Sequence, residues 1–312
     1  MGQHMVLSSG KRIRLLAAGA VLSLLWAASG DVAAQPQMPP SPPQLAAPRP
    51  AVPQEVDVQL ILAVDVSGSI DYQEAELQRK GTVDAILNKE VLDAIRAGSL
   101  GRIGISVIYF SSKDYGFMSV PVNWMVIEDE KSAQTFVKTL VAARRPSARG
   151  TSISDALELS MRQFAASPFH SVKQVIDVSG DGVNNAGRNV EEVRDEVLAK
   201  GITINALPIM DDTTPPDLDK YFEACVTGGP ASFVIPAKGF VDFARAIRRK
   251  LILEISGITP EQMPDKRDLL IKVADDGTPV PVPRRVAPNR PKYEGGCDYP
   301  MFGGYFGGFG FR

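Results

Sequence analysis

Oxygen donors gather in three short stretches of the chain. The first is Asp65-Val66-Ser67-Gly68-Ser69, the second Arg149-Gly150-Thr151-Ser152, and the third Ser179-Gly180-Asp181-Gly182. Asp65, Ser67, Ser69, Thr151 and Asp181 together offer two carboxylates and three hydroxyls. That set suits a hard divalent cation, Mg²⁺ or alternatively Mn²⁺ or Ca²⁺, which prefers oxygen ligands and keeps waters where the protein leaves gaps. Positions 65, 67 and 69 alternate along an extended turn, so their side chains can face one point. Gly68, Gly150, Gly180 and Gly182 let the backbone come close. Two carboxylates nearly neutralise a 2+ ion while hydroxyls fill the shell, which leaves it able to take one more anionic oxygen. The plainer account of Asp65 or Asp181, taken singly, is helix capping or turn bracing.

Those stretches need a scaffold that brings them together. Val58 to Val64 is a nearly unbroken apolar run, as in a strand buried on both faces of a parallel sheet. A helix follows from Asp71, which with Glu74 has capping-box spacing, and runs on through Leu87, Val91 and Ile95. Arg102 to Phe110 and Met118 to Trp124 read as strands, the latter placed at an edge by Pro121. Lys131 to Ala142 and Ser152 to Ala165 read as helices, Val172 to Val178 as a strand and Val190 to Lys200 as a helix. Then come a strand at Ile202 to Pro208, a helix at Pro216 to Cys225, a strand at Ser232 to Ile235 and a helix at Phe240 to Leu253. This alternation predicts a doubly wound α/β sheet with helices on both faces, whose ligands sit beyond the carboxyl ends of its strands.

The pattern Asp65-x-Ser67-x-Ser69, then Thr151, then Asp181 resembles the metal-ion-dependent adhesion site of von Willebrand factor A-type domains. The resemblance covers about residues 56–255. The flanks SGDGVNNAG and CVTGGPASFV are similar to an exported bacterial subfamily without an assigned function. The resemblance implies a mostly parallel six-stranded sheet with one antiparallel edge strand and a divalent ion at its top. Ser67, Ser69 and Thr151 are then direct or near-direct ligands, and Asp65 and Asp181 bind directly or through water. It also implies a protein partner whose own Asp or Glu completes the metal shell. Arg149, beside Thr151, and Asn184, after Asp181, are candidate partner-binding residues at the rim. A solvated charge and a turn are their simpler roles. Asp177, inside the strand VIDVSGD, either supports the site from beneath or is a structurally paired polar residue.

An enzyme of another kind is the alternative. Haloacid-dehalogenase-type phosphatases place an aspartate nucleophile after a first strand and a GD motif later, which would make Asp65 the nucleophile of a Mg²⁺-dependent hydrolase. Ser67, however, stands where those enzymes carry their acid/base Asp, and Asn185 where a second acid is usual. Serine hydrolysis lacks a GxSxG elbow, and the two histidines, His4 and His170, are not placed to act as bases. A non-enzymatic binding module is therefore the expectation.

The ends carry different information. Lys11, Arg12 and Arg14 precede the apolar run Leu15 to Ala28 and then SGDVAA, the order of a secretory signal cut after Ala34. The run is shorter than the ~20 residues of a spanning helix, so an exported mature chain without a membrane segment is expected, in the periplasm or outside the cell. Losing residues 1–34 removes three positive charges and Asp31, lowering the net charge from −2 to −4. That charge, with a pI of about 5.8, gives no basic field for nucleic acid. Residues 35–55 lie in a proline-rich spacer, and residues 256–312 are rich in Pro and then Gly and read as a flexible tail, whose aromatic residues could dock on a surface. Export would put Cys225 and Cys297 where disulfides persist, and a bond between them would pin this tail to the domain. The alternatives are a buried free Cys225, with Cys297 unpaired or joining two chains.

Overall fold

The computed structural model describes residues 53–115 and 117–257, together with 284, 285, 293, 296 and 297. The expected signal, most of the proline-rich spacer and most of the C-terminal segment lie outside the described residues. In chain order the elements are β1 (Gln54–Glu55), β2 (Val58–Asp65), α1 (Tyr72–Ile86), α2 (Lys89–Arg96), β3 (Ile103–Phe110) and β4 (Met118–Ile127). Next come α3 (Glu130–Ala142), α4 (Ile153–Ala165), β5 (Phe169–His170), β6 (Gln174–Gly180), α5 (Val190–Ala199) and β7 (Thr203–Met210). The remainder is α6 (Leu218–Tyr221), running into a π-helical turn at Phe222–Val226, then β8 (Phe233–Val234), β9 (Ala237–Lys238), α7 (Gly239–Ser256) and β10 (Arg284–Arg285).

The main sheet has the order β10-β8-β7-β6-β2-β3-β4, with β9 added on β7. Strands β8, β7, β6, β2 and β3 are parallel and β4 is antiparallel to β3, so the doubly wound α/β expectation holds. A second antiparallel edge strand, β10, pairs Arg284 with Val234 and Arg285 with Phe233. Every residue of β2 is buried because helices cover both faces. Leu60, Leu62 and Val64 join the core under α1, α2, α3 and α7. Ile61 and Ala63 join the core under α4, α5 and α6. This is how a central parallel strand buries a continuous apolar run.

Local chemistry shifts several boundaries from the sequence expectation. The helix beginning after Asp71 carries the expected capping box but stops at Leu87. There the Asn88 side chain accepts the Glu90 amide at 2.8 Å and starts α2 as a separate helix. Strand β6 begins at Gln174 because Val172 is 99% exposed, and it runs on to Gly180, two residues past the expected end. The Pro216 to Cys225 helix is only one α turn followed by the π turn. Cys225 lies in that turn and is joined to Cys297 by a disulfide with a Cα–Cα distance of 5.5 Å. Tyr293 meets Tyr221 edge-on, centroids 5.5 Å apart, so the described parts of the C-terminal segment lie against the domain.

Close helix packing fixes the α1–α7 pair. A Cβ on Gly81 of α1 would stand 2.8 Å from Phe243 Cδ1 and 2.9 Å from Ala244 Cα on α7. The second of these is backbone and cannot swing away. Gly81→Ala should therefore destabilise the protein by about 1–3 kcal/mol through overpacking, even though alanine is the better helix former. A lowered urea midpoint checks this; an unchanged or raised midpoint would contradict the close packing of these helices.

Candidate metal centre

Strands β2 and β6 are parallel neighbours, with Val64 opposite Ser179, so their carboxyl ends and the loops that follow share one edge. Asp65 ends β2 and Asp181 directly follows β6. Asp65 is completely buried. Its Oδ1 accepts the Ser67 amide at 2.7 Å, while Oδ2 is buried without a hydrogen-bond partner. Gly180 makes the room: a Cβ there would be 2.9 Å from that same Oδ2. The hydroxyls of Ser67 and Ser69 lie 3.0 Å apart, and Ser69 Oγ donates to Asp181 Oδ1 at 3.0 Å.

Thr151 arrives from a third segment, held in place by backbone pairing. Ser67 and Ala148 form a parallel bridge, the Ala148 amide donates to Val66 O at 3.3 Å, and the Ser152 amide to Ser111 O at 2.5 Å. The Ser152 side chain caps α4 by accepting the Asp155 amide at 3.1 Å, which leaves Thr151 at the helix entrance. Its hydroxyl faces Gly182, where a Cβ would stand 3.5 Å away. Asn185 clamps it, accepting the Thr151 amide at 2.8 Å and donating its own amide to Thr151 O at 2.9 Å. Thus Asp65, Ser67, Ser69 and Asp181 form one connected cluster, and Thr151 stands beside Gly182, the residue after Asp181.

The two rim candidates differ. Arg149 is exposed. Asn184 is 6% exposed, and its side chain accepts the Ser154 amide at 3.1 Å and donates to Arg188 O at 3.1 Å. Its amide donates to the Tyr221 hydroxyl at 3.0 Å. Asn184 therefore braces the loop after β6 against α4 and α6, a correction to its reading as a partner contact. Asp177 faces the opposite layer and pairs with Lys250 at 2.7 Å, not with the site.

Sequence reasoning missed Arg145. Its Nη2 donates to Asp65 O at 3.2 Å and to Gln78 Oε1 at 3.4 Å, placing a half-buried guanidinium behind the carboxylates. Three arginines fall within Arg144 to Arg149, and no spacing singles out the one that turns inward.

Burial, and then the neighbouring Asp181, push the Asp65 carboxyl up to about 7, against the hydrogen bonds from Ser67 and the charge of Arg145. Asp181 is also raised, chiefly by burial, with the Ser69 hydrogen bond opposing. Two adjacent buried carboxylates are thus short of positive charge, and one of their oxygens lacks a donor. Among the described residues no group of three or more His, Cys, Asp or Glu could hold a metal ion; here only two donors are carboxylates and the others are hydroxyls. This oxygen-only, acidic and partly orphaned donor set fits a hard divalent cation and does not fit a soft, thiolate-seeking one.

The pilus adhesin SpaC of Lactobacillus rhamnosus GG aligns over 66% of this chain and 32% of its own, with 15% identity and a TM-score of 0.50. Proximal thread matrix protein 1 from the mussel byssus aligns over 65% of this chain and 48% of its own, with 16% identity and a TM-score of 0.49. Another structure of that protein, described with a zinc-occupied MIDAS motif, has 16% identity and a TM-score of 0.46 over 65% of this chain and 49% of its own. The chain thus spans about half or less of the length of these structures. The fold, a central, mostly parallel sheet flanked by helices, is shared with SpaC. Residues 55–259 match the family described as protein of unknown function, DUF1194, and the chain belongs to that family. No curated protein matches it.

The raised Asp65 carboxyl has a measurable sign. Its folded value, about 7, exceeds the unfolded 3.8, so between these values the folded state holds a proton that the unfolded chain has released. The stability this gives is complete below about pH 4 and lost as pH rises through about 7. In EDTA, Asp65→Asn should therefore gain thermal midpoint relative to the wild type across that window. A midpoint difference that is flat with pH would contradict the burial of an unsupported Asp65 carboxylate.

Proposed function

We propose that this chain is an exported, divalent-cation-dependent protein-binding module that works in adhesion or assembly. The observation that carries the reading is the buried, unpartnered Oδ2 of Asp65 beside the Ser67–Ser69–Asp181 hydroxyl and carboxylate chain. Asp65, Ser67, Ser69, Thr151 and Asp181 are the residues that would hold Mg²⁺, or Mn²⁺ or Ca²⁺. The ion would supply positive charge at the rim of the sheet, open to a further carboxylate oxygen. An Asp or Glu of a protein partner is the group that chemistry selects. Arg149 is exposed at this edge, so a guanidinium is available to the arriving acid. Asn185 and the Ser152 cap hold Thr151 in place, so that binding does not first have to order the loop.

The export expectation agrees with the disulfide between Cys225 and Cys297, since such bonds persist outside reducing compartments. Among the described residues no helix is long and apolar enough to cross a membrane. SpaC, which shares this fold, is described as a pilus adhesin, and this supports the adhesion reading. Binding is favoured over turnover because the cluster's own carboxylates are committed to it and Ser67 stands where a hydrolase of that type carries its acid/base Asp. His170 pairs with Glu55 at 3.0 Å, where β5 meets β1 near the start of β2, away from the edge that carries the site.

At a hundredfold excess over its Kd, Mg²⁺ or Mn²⁺ should add about 2.7 kcal/mol to the stability of the wild type, read as a raised thermal midpoint. Asp65→Ala and Asp181→Ala should remove that rise while remaining folded. Capture of a protein partner from envelope extract should require the ion, fail in EDTA and be lost in Thr151→Ala. A midpoint rise that persists in both Asp variants would overturn the site, and capture unchanged by EDTA would remove the ion from binding. Phosphate-ester turnover abolished by Asp65→Asn would replace the binding reading with the hydrolase.

A further inference from the structure

A second buried cluster lies on the other side of the sheet, under α7. Lys250 is 0% exposed, Asp177 2%, Glu254 1% and Asn205 2%. Lys250 Nζ is 2.7 Å from Asp177 Oδ1 and 2.5 Å from Glu254 Oε1. Asp177 on β6 and Asn205 on β7 are register partners, and Asn205 Nδ2 donates to Glu254 Oε1 at 2.8 Å. The ring of Phe233 closes the side, its centroid 5.6 Å from Nζ. The other nearby amine, Lys173, is spent on the backbone oxygen of Glu254 at 2.5 Å.

As an ion cluster this arrangement is poorly matched. One ammonium faces two carboxylates in a dry interior. Neither oxygen of Asp177 has an aligned hydrogen bond, and Glu254 Oε2 has none. Buried ions are normally paired and hydrogen-bonded on each free lone pair, and here Lys250 meets Asp177 closely without that alignment. Glu254, in contrast, is bonded to Lys250 and steadied by Asn205. One carboxylate is therefore anchored beside the amine, and the other is held against it with only Lys250 and Glu254 as polar partners.

We propose that Lys250 and Asp177 join in an intramolecular amide bond, with Glu254 moving the proton. Proton transfer within the contact turns the ammonium and carboxylate into a neutral amine and a carboxylic acid, the forms a dry interior favours. Burial, opposed by Lys250 and reinforced by Glu254, keeps the Asp177 carboxyl well above the usual carboxylate range, consistent with that acid form. Nζ then attacks Cγ of Asp177 and the Nζ–Cγ bond forms. Glu254 takes the amine proton and returns it to the departing hydroxyl, the Cγ–O bond breaks, and one water leaves. No oxidant or other reactant is needed. Fixed proximity in a water-excluded site drives the step, and the product removes one positive and one negative charge from the core. The bond would tie α7 to β6.

The test is the intact mass of the full chain, reduced and denatured. The wild type should be lighter than its sequence by one water, and peptide mapping should give a branched peptide joining the Lys250 and Asp177 segments. Asp177→Ala should have full sequence mass, and Glu254→Gln should be mostly unlinked under the same conditions. The wild-type measurement does not depend on any variant folding. Wild type at full mass, with both residues in linear peptides, would overturn the bond and leave an ion cluster. A water loss mapped to another pair would also overturn it, and full linkage in Glu254→Gln would overturn the role given to Glu254.

Discussion

The buried carboxylate of Asp65 is the constraint around which the upper edge of the sheet is arranged. It ends a strand whose eight residues are all buried, so its charge enters the protein with the strand and cannot turn out to water. Nearby features accommodate it. Gly180 leaves space, the Ser67 amide satisfies one oxygen, and Arg145 sets a cation behind it. The other oxygen is left to the shared edge where Ser67, Ser69 and Asp181 meet. An acid placed so that burial and a like-charged neighbour both oppose its ionisation is costly in an isolated fold. That cost becomes affinity once a hard cation stands among the same oxygens.

Strand β6 connects this edge to the opposite layer. Its alternation sends Ile176 and Val178 into one core and Val175 into the other, with Asp177 following Val175 towards α7. Asp177 and Asp181 belong to one short segment yet serve separate environments. The first is locked in the dry cluster with Lys250 and Glu254; the second stands at the rim, hydrogen-bonded by Ser69. The disulfide at the π turn and the pairing of β10 on β8 add further ties on the far edge. The rim loops therefore rest on a sheet held from both layers.

Much of this was legible in the sequence because the relevant signals are local. The apolar run of β2, the capping box at Asp71 and the three glycine-flanked oxygen stretches each report their own neighbourhood. The doubly wound sheet then follows from alternation, and the meeting of Asp65, Ser67, Ser69 and Asp181 from the adjacency of strand ends. What was not legible depends on distant partners. Asn184 resembles an exposed turn residue until Ser154, Arg188 and the Tyr221 hydroxyl consume it. Arg145 is one of several arginines until the fold turns it towards Asp65. Structural pairing of Asp177 was one of its two expected roles, but the partner was not legible, because Lys250, 73 positions away, leaves no mark in the strand. The helix break at Asn88 was missed because the apolar spacing continues through it, while a single side-chain cap decides the boundary.

The central claim is that the oxygen cluster at the ends of β2 and β6 holds a divalent cation. Anomalous diffraction from crystals of the protein grown with Mn²⁺ tests it directly. The account predicts an anomalous peak in contact with Asp65, Ser67, Ser69, Thr151 or Asp181, directly or through water. Mn²⁺ peaks elsewhere in the same crystals, with none at this edge, would contradict it.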